Sequence, residues 1–168
     1  ACNYSTILNG VTNTITGTVI HSLIGGGNSN FCNGDYSFLG NGSNNGIFYK
    51  SDNCFLGGGS ENKIRGSNQV LVGGLSLTGL GTFNFLGGGE NALVSGHHSV
   101  LLGGRKGRIS GNFAVLLGGD DCQISGDYGI AGGFRCSVQS GHTSAVVFGD
   151  SNNYSKLCFS KDSLTLHF

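Results

Sequence analysis

A glycine returns every 15 residues along most of this chain. Gly66, Gly81, Gly96, Gly111, Gly126 and Gly141 are evenly spaced. Gly34 and Gly17 continue the series upstream at a spacing of 17, with Ser51 in the missing place. A fixed period of this length marks a solenoid, in which each repeat is one unit stacked on the next.

The repeat is explicit in the residues. Ser99 to Gly111 reads S-V-L-L-G-G-R-K-G-R-I-S-G, and Ala114 to Gly126 reads A-V-L-L-G-G-D-D-C-Q-I-S-G. The consensus is a short apolar run, Gly-Gly, two polar residues, a lone apolar residue, a small polar residue and Gly. About nine copies lie between Tyr4 and Gly141, the third (Tyr36–Ser51) and fifth (Val70–Gly81) being the least regular. Glycine recurs too often for helices, because each interior Gly costs about 1 kcal/mol relative to Ala. Apolar runs such as Val70-Leu71-Val72 between glycine clusters read as strands. A second apolar position (Ile15, Ile64, Ile109, Ile124) reads as a shorter strand on the other side of the coil.

One coil is therefore two short parallel strands joined by two turns, Gly-Gly and Ser-Gly, where glycine meets positive φ or close backbone approach. About nine coils at about 4.8 Å make a rod of roughly 40 Å, all-β, spanning residues 1–141. An asparagine column (Asn13, Asn30, Asn62, Asn91 and Asn45) is expected at one coil position, its amides hydrogen-bonded along the axis. After Gly141 the period stops. Residues 142–168 are expected to cap the last coil or to lead into a further segment, with a polar turn at Asp150–Ser155 and strands at Leu157–Phe159 and Leu164–Leu166.

The apolar run carries the next step. Alternate side chains on a strand face opposite ways, so in Val100-Leu101-Leu102 the outer two face one side and Leu101 the other. With Val100 and Leu102 turned inward, Phe38, Phe55, Leu71, Leu101 and Leu116 form an apolar ribbon on the outside. Burial against sister chains, most simply in a trimer, would hide it. The alternative is a thicker coil with the ribbon inside.

Composition narrows the function classes. Only 11% of the residues are charged and the formal net charge is zero. That removes the electrostatic case for nucleic acid or an anionic membrane surface. No apolar run reaches the roughly 20 residues that cross a bilayer. The chain has no signal peptide and no methionine, and is expected to be a processed product or fragment. Its six cysteines include no C-x-x-C pair; Cys122 and Cys136 stack in neighbouring coils, as a disulfide or as two buried thiols. His97 and His142 fall at one turn position three coils apart, a solvated turn and not a metal site. Asp120, Asp121 and Asp127 lack the spacing of calcium-binding β-rolls. No catalytic constellation, cofactor site or metal site is assembled. A glycan-active tailspike-type enzyme needs paired carboxylates in a groove, and only Asp120-Asp121 are adjacent.

The serial motif, seen in Gly58-Gly59-Ser60-Glu61-Asn62-Lys63-Ile64-Arg65-Gly66 and from Ser99 to Gly126, resembles the YadA-like head repeats of trimeric autotransporter adhesins. It is especially similar to their variants in phage and giant-virus fibre proteins. His142 to Asp150 looks like the segment that closes such arrays. The resemblance implies a left-handed parallel β-roll or β-solenoid assembled as a parallel homotrimer. It implies a structural fibre or head for display and attachment at a virion or cell surface, with a cell-surface glycan or receptor as partner and no catalytic residues. The cysteines and the large apolar residues depart from the bacterial heads and leave room for a viral fibre or capsid-surface protein.

Overall fold

The computed structural model describes residues 3–149, 156–157 and 162–166. Among them there is no helix. Two parallel sheets run side by side, one of eleven strands from Thr6–Ile7 to Leu164–Leu166, the other of ten from Thr14–Ile15 to Lys156–Leu157. The chain alternates between the sheets, and each strand pairs with the one a full turn away. The result is a β-solenoid of about ten turns, close to 48 Å long at about 4.8 Å per rung.

The register fixes the columns. In the first sheet Phe85 pairs with Val100 and Val100 with Val115, while Leu86, Leu101 and Leu116 align beside them. In the second, Lys63, Thr78, Leu93, Arg108 and Gln123 align, beside Ile64, Gly79, Val94, Ile109 and Ile124. Leu39, Leu56, Leu71, Leu86, Leu101 and Leu116 face that isoleucine column across the interior, and all are buried.

This reverses the expected phase of the first strand. Leu101 is 0% exposed and Leu116 1%, and Leu71 is equally dry, all within a single chain. Val100 and Leu102 point outward instead. The inward residue two places before Leu101 is Ser99, whose Oγ donates to the Gly111 carbonyl one rung on at 3.1 Å. A polar side chain that must reach a neighbouring rung's backbone sets the alternation, and Leu101 follows it inside. Phe38 and Phe55 occupy the other column, in line with Val70, so the expected ribbon mixed two faces.

Two polar ladders close the interior at the turns. Asn13, Asn30, Asn45 and Asn62 form the first. The Asn30 N–H donates to Asn13 Oδ1, Asn45 N–H to Asn30 Oδ1 and Asn62 N–H to Asn45 Oδ1, each at 3.0 Å. Asn62 Nδ2 donates to Gly58 and Gly74 carbonyls at 2.9 Å. The bonds run from side chain to backbone, not from amide to amide. Asn91 is not a member: it sits at the exposed position beside Ala92, which takes the ladder place. The second ladder, unseen in the sequence, is Ser22, Ser37, Cys54, Gln69, Asn84 and Ser99, reaching carbonyls such as Gly34 (2.7 Å from Ser22 Oγ) and Gly96 (2.8 Å from Asn84 Nδ2).

Glycine works differently at the two turns. Gly104 has φ +97°, so the Gly-Gly turn uses the left-handed region. Gly96 has no such φ; a Cβ there would run into the Gly111 carbonyl of the next rung. Each turn also holds one non-glycine residue in the left-handed region, for example Lys106 (φ 57°) and Phe113 (φ 54°). That conformation costs about 1–2 kcal/mol per residue. It turns the N–H back to the preceding rung, where Lys106 reaches the Glu90 carbonyl and Phe113 that of His97, both at 2.9 Å.

Pairing does not stop at residue 141. Val146–Gly149 pairs with Ile130–Phe134, and Leu164–Leu166 with Val146–Phe148. His142, not Gly141, lies against Gly126, because a tight Gln139–His142 turn (3.0 Å) adds a residue there. His142 is thus not equivalent to His97. The expected turn at Asp150–Ser155 and the strand residues Cys158 and Phe159 lie outside the described residues, as do Cys2 and His167.

Candidate binding notch and outer apolar face

Two surface features stand out, and the first is the outer face of the eleven-stranded sheet. Its outward column reads Leu23, Phe38, Phe55, Val70, Phe85, Val100, Val115, Ile130 and Val146. Two residues on lies a second outward position, where size is complementary. Phe38, Phe55 and Phe85 lay their rings over Gly40, Gly57 and Gly87, while Val70, Val100 and Val115 are followed by Val72, Leu102 and Leu117. Either way the band is apolar: Phe55 is 41% exposed and Leu102 50%. Phe38 and Phe55 stack at 5.3 Å between centroids. Of the five expected interface residues, these two therefore lie on this face, and Leu71, Leu101 and Leu116 lie inside the coil. Val72, Leu102 and Leu117 were missed, although the exchange of F-x-G for V-x-V or V-x-L is written in the sequence.

The second feature arises from the two 17-residue spacings. In regular rungs the isoleucine strand turns at once through glycine, as at Ile64-Arg65-Gly66. Two rungs insert two residues before that point: Gly17-Thr18 in one and Tyr49-Lys50 in the other. The Ser51 N–H closes the second loop onto the Phe48 carbonyl at 3.1 Å and pushes Tyr49 and Lys50 outward. Ser51 takes the expected glycine place. Upstream that place belongs to Val19 and not to Gly17, which sits in the inserted loop with φ +93°.

The rung between them has no insertion, so the loops flank a notch of about 710 Å³. Asn33, Asp35 and Asp52 line it with Thr18, Tyr49 and Lys50. Asp35 and Asp52 belong to one column on successive rungs. The Ile20 N–H donates to Asp35 Oδ1 and the Asp35 N–H to Asp52 Oδ1, both at 2.9 Å. The second oxygen of each carboxylate takes no hydrogen bond from another described residue. Tyr49 is 72% exposed, with Lys50 Nζ 5.5 Å from its ring centroid. The third copy, which holds this loop, is irregular in length; the fifth keeps the 15-residue spacing and departs at Leu77, in the asparagine ladder place, and at Gly79, in the isoleucine column.

Several other polar residues are engaged in the coil, while Gln69 Oε1 and His142 Nδ1 are buried without a hydrogen-bond partner among the described residues. His97 Nδ1 lies 3.1 Å from the Thr82 N–H, and the Asn112 N–H donates to Asp127 Oδ1 at 2.7 Å. His98 is stacked between Phe83 and Phe113 at 4.9 Å. Arg105 grips Asp120 in two bonds of 3.1 and 2.6 Å, which holds the Asp120 carboxyl below its ordinary range. Cys32, Cys54, Cys122 and Cys136 are buried thiols and form no disulfide. The Cys136 N–H donates to Cys122 Sγ at 3.4 Å, so Cys122 stands where asparagine stands in earlier rungs. The neighbouring Cys136 thiol, with burial, raises Cys122, and burial pushes Cys54 up to about 11. Among the described residues no three His, Cys, Asp or Glu side chains converge. The chain matches no family model, and no curated protein is significantly similar to it.

Proposed function

We propose that this chain is a non-enzymatic display rod, wound left-handed, that stands with two parallel sister copies as a homotrimeric fibre or head. It acts at a virion or cell surface and attaches to a partner there. The outer apolar face carries this reading. It runs through nine successive rungs of the eleven-stranded sheet, and an exposed apolar band of that extent marks an interface. Trimerisation rests on Val70, Val72, Leu102 and Leu117 with Phe38 and Phe55, not on the buried leucines. Threefold stoichiometry and the surface role come from the resemblance of the repeat. Three rods side by side would present each contact three times, so weak contacts add to firm attachment.

Native mass spectrometry tests the assembly: three chains are expected, and a stable monomer at micromolar concentration overturns it. A cell-binding assay tests attachment, and separates it from a purely structural role on a capsid. A glycan-active reading gains one observation, the stacked Asp35 and Asp52. Hydrolysis needs two carboxyl groups flanking the scissile bond. These two stand above one another on one wall, each tied to a backbone N–H, which suits binding better than bond cleavage.

A further inference from the structure

We infer that the notch between the Gly17-Thr18 and Tyr49-Lys50 loops is a binding site for a neutral saccharide. The inference rests on the attachment reading for its biological setting, and on the notch alone for its chemistry. The coil does not require the inserted residues, since the rungs at Gly66, Gly81, Gly96 and Gly111 close without them. What the insertions create is the gap. The loops lie two rungs apart, about 10 Å, too narrow for a helix with its side chains but open to a sugar ring. The volume, about 710 Å³, is that of a ligand site.

The lining matches a polyhydroxylated ligand. Asp35 and Asp52 are held in place through one oxygen each, which leaves the second to accept hydroxyl protons in charge-assisted hydrogen bonds. Asn33 adds an amide, able both to donate and to accept. Tyr49 offers an aromatic face to the apolar C–H side of a pyranose: the ring stands largely exposed at the turn tip, with the Lys50 ammonium 5.5 Å from its centroid. Two carboxylates outweigh one ammonium, so the site repels sialylated or sulfated sugars and selects neutral ones.

A printed glycan array of neutral, sialylated and sulfated oligosaccharides, probed with the intact chain, tests this, followed by calorimetry with the best free saccharide. Neutral saccharides are expected to bind, and Tyr49→Ala and Asp52→Asn each to weaken binding at least tenfold without moving the melting temperature by more than a few degrees. Asparagine fits at position 52, because Asn112 Oδ1 accepts the His97 N–H at the matching place in another rung. Three results overturn the inference: no binding on the array, preference for acidic saccharides or an oligolysine peptide, or neutral binding that both variants leave unchanged. Cell binding without array binding would sink the saccharide site and spare attachment. Loss of both would sink both.

Discussion

The Asn62 N–H donates to Asn45 Oδ1 at 3.0 Å, one rung along, and Asn45 Nδ2 donates to the Gly59 carbonyl of that same rung at 2.8 Å. A single buried side chain thus satisfies both a donor and an acceptor of its neighbour. Asn45→Ala leaves the Asn62 N–H unpaired in the interior, at about 1–3 kcal/mol, and removes one of two bonds to the Gly59 carbonyl, which keeps the Ser43 N–H, at about 1 kcal/mol more. A loss of about 2–4 kcal/mol is expected from urea unfolding. Asn91→Gly, at an exposed left-handed position outside the ladder, should cost nothing measurable. Equal losses would show that the ladder carries no special stability.

Leu101 and Leu102 are adjacent and face opposite ways. Leu101→Asp should abolish folding, because an unpaired carboxylate would be buried. Leu102→Asp should leave far-UV circular dichroism intact and reduce the assembly to single chains. A Leu102→Asp variant that keeps the parent mass would show that this face contacts no sister chain.

Gly96 and Gly103 test the glycine logic. A Cβ at Gly96 would meet the Gly111 carbonyl, whereas one at Gly103 meets nothing within 4 Å. Gly96→Ala should destabilise by about 1–3 kcal/mol, the cost of overpacking. Gly103→Ala should be tolerated, and thermal melting separates the two.

Cys54 gives a pH signature. Its pKa rises from 9.0 unfolded to about 11 folded, because burial disfavours the thiolate. The folded state therefore holds its proton longer. The associated stability is fully present below pH 9 and is lost as pH rises through 11. Unfolding midpoints from pH 8 to 11 should fall more steeply for the parent than for Cys54→Ser, whose hydroxyl fits a ladder that already uses Ser22, Ser37 and Ser99. Parallel slopes would remove Cys54 from the effect.

Much of this architecture was legible in the sequence. The glycine period demands stacked rungs, and Ile15, Ile64, Ile109 and Ile124 announce the second strand, because those signals are local and recur in register. The two 17-residue spacings likewise foretold a local departure, though not that Asp35 and Asp52 would share a notch. The phase of the first strand was not legible. Val100-Leu101-Leu102 is apolar at all three places, so an alternation of period two fits it either way. Ser99 decides, through a carbonyl 12 residues further along and one rung away. The same holds for Ala92 in place of Asn91, and for Val19 in place of Gly17. The chain's own periodicity determined that it would coil. Which side chains ended inside was decided only by hydrogen bonds between rungs, which exist once the rungs are stacked.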